Sequence, residues 1–460
     1  MTRHVVVVGG GISGLTAAYR LGQIPDLRVT LLEGSDRIGG KLRLGEVAGI
    51  SVDIGAEAML NRRPEAVSLT NEVGLGMELV HPETTAANLW NRNQMVPMPR
   101  TLMGVPGDIR ALDRVLSQKG MARALLEQVT PASTLQQDIS IGHLIDERFG
   151  REVVDRLVEP LLGGVYAGHA RELSACACVP QVVDLATRHR SFTAAAAAVL
   201  ADAPTEIPVF AGIRGGMGRL PGAVAKAANG TIRTGAMVRD LARRTGGGWN
   251  LVVGSAHDAE ILQADAVLLA TPANAAARLL SDVAPRAALD LARIEHASMA
   301  IVTMAFEADR FPAVVGSGFL VPPVDGHVVK AATYSFNKWG WVREAGSGLL
   351  VMRASIGRHR EERSLQVSDE ELVGIAVAEL GEAIGLNADP VDALVQRWGG
   401  GLPQYSVGHL DRIDAVRREV AALPGLAVCG AAYEGLGIPA CIASADRAVE
   451  ELRPVVTMGS

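Results

Sequence analysis

Three glycines and one glutamate, set at fixed distances from two apolar runs, carry the first chemical signal in the chain. Gly9, Gly11 and Gly14 fit the spacing G-x-G-x-x-G, between the β-branched run Val5–Val8 and a segment of helical character from Ser13 to Leu21. In such a turn the first glycine permits the sharp bend, the second lets a pyrophosphate lie against the main chain, and the third lets helix and strand pack closely. Gly10, Ile12 and Ser13 complete the turn, and the helix start beyond it offers free N–H groups and a dipole to two phosphates. Glu33 closes the second apolar run, Val29–Leu32. A carboxylate there accepts hydrogen bonds from both ribose hydroxyls and disfavours a 2′-phosphate. With strand, turn, helix and acid in this order, the pattern predicts an ADP-containing ligand; alone it does not separate FAD from NAD.

The next residues favour FAD. Gly34 leads into Arg37-Ile38-Gly39-Gly40-Lys41. A dehydrogenase has no need of glycines immediately past the ribose acid, whereas a chain that wraps a large flavin nucleotide does. Arg37 or Lys41 can offset phosphate charge. Asp53-Ile54-Gly55-Ala56-Glu57-Ala58 gives a second small-residue turn able to pass the flavin.

The elements that must position these residues are spread along the chain. Its 460 residues, 48% hydrophobic and 20% charged, allow two or three domains with large cores. Residues 1 to about 80 read β-α-β followed by an extended stretch and another helix. From Leu102 to about Arg190 the pattern is mainly helical, with Pro160 limiting a helix that starts near Val153. Strands are expected at Thr231–Leu241 and Trp249–Val253 as a hairpin, then at Ala266–Ala270, Ser298–Phe306, Leu349–Ile356 and Leu426–Cys429, with helices at Glu370–Ile384 and after the last strand through Leu452. One nucleotide-binding sheet therefore draws on distant segments. The expected division is 1–80, 229–275 and 424–460 for an FAD-binding domain, 81–100, 191–228 and 276–423 for a substrate domain, and 101–190 for a helical domain.

A net charge of −6 and a pI near 6.0 argue against nucleic acid as a partner. Cys176, Cys178, Cys429 and Cys441 have neither zinc nor thioredoxin spacing and read as inert core thiols of a reducing compartment. No metal site is expected. The N-terminus enters the first strand at once, without a signal-peptide pattern, and no run is apolar enough to span a bilayer. The expected location is the cytoplasm, with peripheral membrane contact through the helical insert left open.

The sequence resembles the flavin-containing amine oxidase superfamily, and within it the protoporphyrinogen/coproporphyrinogen oxidases of haem biosynthesis, nearest to the bacterial coproporphyrinogen III oxidase type. The resemblance runs nearly end to end. Besides the blocks above it includes Val158–Gly168 (VEPLLGGVYAG), Leu173-Ser174, Gly215-Gly216-Met217, Ala270-Thr271-Pro272, Lys338-Trp339, Pro403–His409 (PQYSVGH) and Tyr433–Pro439 (YEGLGIP). It implies an α/β fold with α+β insertions: a discontinuous Rossmann-like FAD-binding domain of the amine oxidase/glutathione reductase-2 type, a mixed-sheet substrate domain and a helical insert. It also implies that Gly430, Leu436, Gly437 and Ile438 approach the pyrophosphate and flavin, that Val238 meets the adenine through its backbone, and that Trp398 lies near the flavin. FAD would be non-covalent, since Cys441 lacks the flanking residues of a cysteinyl-flavin site.

The implied reaction removes six electrons from a porphyrinogen in three two-electron steps, with oxygen as final acceptor and hydrogen peroxide as product. The cofactor carries the redox step and no catalytic side chain is assigned. The implied substrate is coproporphyrinogen III, whose four propionates the many arginines would suit, with protoporphyrinogen IX as the alternative. The resemblance implies that Gly164 leaves room for the macrocycle and that Leu320 and Met352 press on its faces. Arg62 and Arg63, and also Arg92, Arg100 and Arg353, are candidates to pair with propionates. His169 and His409 are expected to be structural. A ferrochelatase is the implied recipient of product, and the chain is expected to be a monomer or homodimer. An amine oxidase is the nearest rival, disfavoured because Ala297–Ile301 lacks a lysine and only 4% of residues are aromatic. A carotenoid-type desaturase and a flavin-bound partner protein without turnover are the others.

Overall fold

The computed structural model describes residues 2–131, 135–202 and 207–457. The run Val5–Val8 lies within a strand, Arg3–Val8, that is buried on both faces. It is the centre of a five-stranded parallel sheet with the order Thr231–Arg233, Leu27–Leu32, Arg3–Val8, Ala266–Leu269, Leu426–Val428. Three distant stretches of chain thus supply one sheet. Val5 pairs with both Val29 and Ala266, so the strand ends that carry Gly9, Glu33 and Ala270 lie side by side. The helices Ile12–Gly22 and Ile438–Thr457 pack together on one face of the sheet, through Leu15, Ala18, Ile442 and Ala445. Tight-packing small residues on both helices let them approach.

The second sheet is mixed and seven-stranded, in the order Asp392–Pro403, His296–Glu307, Leu349–Ile356, Val329–Thr333, Gly318–Leu320, Asn88–Asn91, Gln94–Pro97. The helix Asp369–Ile384 covers one face through Leu372, Ala376 and Leu380. It starts on a capping box of Ser368 and Glu371 and stops at Gly385, whose φ of 74° suits a left-handed cap. A separate core, from Val105 and Ile109 to Ala196, is built mainly from helices.

Two local readings are corrected. Thr231–Arg233 joins the parallel sheet, and the antiparallel partners of Trp249–Gly254 are Val238–Arg243 and Ala259–Ala264. The turn at Gly235 ends the first strand and frees the second. Pro160 does not end a helix but stands at the start of one, Glu159–Tyr166, where its missing N–H costs nothing. It follows a π-helical turn, Val154–Val158.

Candidate active site

The glycine turn closes on itself. Gly9 has φ 108°, and a Cβ on Gly14 would lie 1.9 Å from the Gly9 carbonyl oxygen. Gly11 is the opposite case, with nothing within 4 Å of the position a Cβ would take. The backbone there is open to a ligand. The Glu33 carboxylate is held ready: Oε2 accepts the Gly10 N–H at 2.6 Å, and Oε1 accepts the Ser35 N–H and hydroxyl, both at 2.8 Å.

These groups line a cavity of about 580 Å³. Of the residues expected to hold the cofactor, Gly9, Gly11, Ile12, Ser13, Glu33, Gly34, Gly40, Lys41, Ala56, Val238, Gly430, Leu436 and Ile438 lie on its wall. The others stand behind it. Gly10 and Gly14 fix the turn. Arg37 donates to the carbonyls of Ile38 and Gly40, at 3.3 and 2.9 Å, and so shapes the second glycine turn. Gly55 must be glycine, because a Cβ would meet the Lys41 carbonyl oxygen at 1.9 Å. Trp398 donates its indole N–H to the Ile54 carbonyl at 3.3 Å and stacks its ring edge on Gly55. Ala58 packs against the small core around Trp339, and Gly437 precedes the final helix.

Glu57 is engaged by cations. Lys338 Nζ lies 2.6 Å from one of its oxygens and Arg353 Nη1 2.9 Å from the other. Burial alone would raise the Glu57 carboxyl, but the two cations outweigh it and hold the group at about 2. Arg353 also donates to the Gly55 carbonyl at 2.6 Å, so both of its Nη atoms serve the Gly55–Glu57 turn. The other arginines considered for propionates are also engaged. Arg63 pairs with Glu65 at 2.5 Å, Arg92 with Glu152, and Arg100 donates to the Leu200 carbonyl at 2.6 Å. Arg62 is exposed in the turn before the helix Pro64–Glu72.

Gly164 and Leu320 meet: a Cβ on Gly164 would lie 3.6 Å from Leu320 Cδ2. Met352 is elsewhere. It is fully buried with Met304, Ala354 and Leu372, on the sheet face that packs against the helix Asp369–Ile384. Its neighbour Arg353 faces Glu57, and strand alternation puts Met352 on the other side. Met352 therefore packs the substrate sheet rather than pressing on a ligand.

The wall also holds residues that the sequence reading did not place at the cofactor, among them Arg278, His296 and Cys441. Arg278 donates to the carbonyls of Val238 and Arg239, at 3.0 and 2.6 Å, and clamps the loop beside the Glu33 end. His296 and Cys441 lie on the wall with Lys41. Burial lowers the His296 imidazole and the Lys41 charge adds to the effect. Nothing in the local sequence around these three marks a ligand; tertiary folding alone brings them together.

The structural histidines are as expected. His169 contacts the His359 carbonyl at 2.9 Å. His409 stacks on Tyr405 and contacts the Tyr433 carbonyl at 3.0 Å, and its burial pushes the imidazole down to about 4. All four cysteines are free, and burial raises their thiols. Among the described residues there is no cluster fit for a metal, and no helix is long and apolar enough to cross a membrane.

A cavity walled by a ribose-type acid, an open glycine turn and a helix start, with no second acid among its wall residues, fits a flavin nucleotide. Comparison with known proteins agrees. The family model described as "Flavin containing amine oxidoreductase" matches residues 12–453. A coproporphyrinogen III oxidase from Mycobacterium leprae is 38% identical, with 99% of each chain covered. One from Bacillus subtilis is 31% identical, over 98% of this chain and 97% of the relative. A solved structure from Exiguobacterium sp., assigned as a protoporphyrinogen oxidase, superposes with a TM-score of 0.87 at 31% identity, over 98% of this chain and 99% of that one. Putrescine oxidase, at 18% identity and a TM-score of 0.70, shares the fold. The chain therefore belongs to the flavin-containing amine oxidoreductase family, on the branch that holds the porphyrinogen oxidases.

Proposed function

We propose that the protein binds FAD non-covalently and oxidises a porphyrinogen, with coproporphyrinogen III as the substrate and oxygen as the final acceptor. The observation that carries the reading is the end-to-end match to coproporphyrinogen III oxidases, from chains of 96–99% mutual coverage in the mycobacterial relatives. When bound, FAD supplies a two-electron acceptor at its ring nitrogen and passes the electrons to oxygen, which leaves as hydrogen peroxide.

The chain's own residues bind and orient. Glu33 would accept the ribose hydroxyls, with its carboxylate already fixed by Gly10 and Ser35. The turn Gly9–Gly14 and the start of the helix Ile438–Thr457 would face the pyrophosphate and flavin with N–H groups. Lys338, Glu57 and Arg353 fix the turn at Gly55, which would help to hold the flavin. Gly164 and Leu320 would bound an apolar slot for the flat macrocycle. Three turns of the substrate, each giving two electrons, would complete the six-electron oxidation, and the pyrrole protons leave to solvent. The protein contributes position, which is sufficient where the cofactor does the chemistry.

Protoporphyrinogen IX is the second substrate considered, since a protoporphyrinogen oxidase from Bos taurus is 30% identical over 97% of this chain. Steady-state turnover on both porphyrinogens tests the choice: kcat/KM at least tenfold higher on the tetrapropionate supports this reading, and the reverse order contradicts it.

A further inference from the structure

One buried cation, Lys330, has no hydrogen-bond partner for its ammonium. It is 2% exposed. Arg358, 3% exposed, donates through Nη2 to the Val321 carbonyl at 3.0 Å, while its Nε is unpartnered. The two are neighbours: the Val321 N–H donates to the Lys330 carbonyl at 2.9 Å, and the charge of Arg358 acts on Lys330. The carboxylate facing Lys330 is Glu361, whose half-exposed oxygen is 3.9 Å from Arg358 Nη1. Glu159 and Glu379 face Arg358 from the other elements. A buried ammonium without a partner is costly, and proteins keep such groups where a ligand completes them.

The surroundings point to that ligand. Arg358 Nε lies 3.7 Å from the place a Cβ on Gly163 would take, and Leu320 Cδ2 lies 3.6 Å from the same place on Gly164. The glycine pair thus leaves the helix Glu159–Tyr166 bare between a buried cation and the apolar wall of the slot. A π-helical turn precedes this helix and Ala167 ends it at φ 47°. Its C-terminal end is held by the His359 N–H on the Ala167 carbonyl, at 2.7 Å, and by Gln404 on the Tyr166 carbonyl, at 2.8 Å, so the glycine pair stays in place between the cation and the slot.

We propose that Lys330 and Arg358 form a carboxylate site beside Gly163 and Gly164, which takes one propionate of the macrocycle. This rests on the porphyrinogen reading. The two cations grip one edge of the substrate and the chemistry takes place elsewhere on the ring, so the site governs binding rather than the redox step. Burial and the charge of Arg358 push the free Lys330 amine down to about 7, so an arriving carboxylate restores its proton.

The test uses the FAD-loaded full chain and coproporphyrin III, the oxidised macrocycle, with its tetramethyl ester as control. Calorimetry at pH 8 in buffers of different ionisation enthalpy reads the proton uptake. Wild type is expected to take up part of a proton with the free acid and none with the ester. Lys330→Met is expected to abolish the uptake, weaken binding about tenfold and raise KM for the porphyrinogen far more than it lowers kcat, with flavin content unchanged. Binding of the free acid by wild type without proton uptake overturns the site, as does unchanged affinity in Lys330→Met. Wild type that binds no porphyrin at all overturns the functional reading itself.

Discussion

Arg353 Nη1 lies 2.9 Å from Glu57, and its Nη2 lies 2.6 Å from the carbonyl of Gly55 two residues earlier. One guanidinium therefore pins both ends of the Gly55–Glu57 turn, with Lys338 on the second Glu57 oxygen. This differs from the part foreseen for Arg353: its guanidinium is committed to Glu57 and to the Gly55 carbonyl within the protein.

The first prediction concerns Glu57→Gln. Removing the carboxylate leaves two largely buried cations unpaired, which costs about 3 kcal/mol. Thermal unfolding of the holoprotein should show it. The acid profile should change as well. Glu57 titrates near 2 when folded and near the ordinary carboxylate value when unfolded. Its contribution is thus present above about 4.5 and lost as pH falls toward 2. Glu57→Gln should flatten stability against pH in that window, and an unaltered slope there would refute the role.

Asp53 should show the opposite sign. Its carboxyl accepts the N–H groups of Met217 and Gly218, at 2.8 and 2.9 Å, yet burial outweighs them and pushes it up to about 7. The folded state then holds this proton more tightly than the unfolded chain, so stability declines as pH rises from about 4 to 7. In Asp53→Asn this decline should disappear, measured by denaturant titration at several pH values.

Glu33→Ala should reduce flavin retention. It removes the acceptor for the ribose hydroxyls and frees the N–H groups of Gly10 and Ser35. FAD affinity is expected to fall at least tenfold, read as the ratio of flavin to protein absorbance after gel filtration.

Gly164→Leu should separate cofactor from substrate. A Cβ fits at Gly164, but a longer side chain would enter the space bounded by Leu320. Flavin content should remain, while kcat/KM for the porphyrinogen falls more than tenfold. Full activity in this variant would remove Gly164 from the slot.

Much of the nucleotide side was legible in the chain because it is local. A β-branched run, three glycines at fixed spacing and an acid after the next strand form a unit whose geometry is set by a few dozen neighbouring residues. The final helix was legible for a similar reason, as a glycine-rich turn after a short apolar strand. Arg278 and His296 were not, since Arg278 sits on an ordinary amphipathic helix and His296 on a strand that reaches the cavity only through its sheet pairing. Met352 shows the limit most clearly: one residue along a strand decides which face a side chain serves, and the parity of Leu349–Ile356 is set by its partners. Pro160 was misread because a proline that stops one helical segment is equally suited to begin the next.

The central claim is that a bound flavin takes electrons from a porphyrinogen held beside it. Anaerobic mixing of the yellow holoprotein with coproporphyrinogen III tests it most directly. The account predicts bleaching of the flavin spectrum together with the appearance of porphyrin absorbance, and return of the yellow colour on admitting oxygen. A flavin spectrum that stays oxidised in the presence of excess porphyrinogen would contradict it.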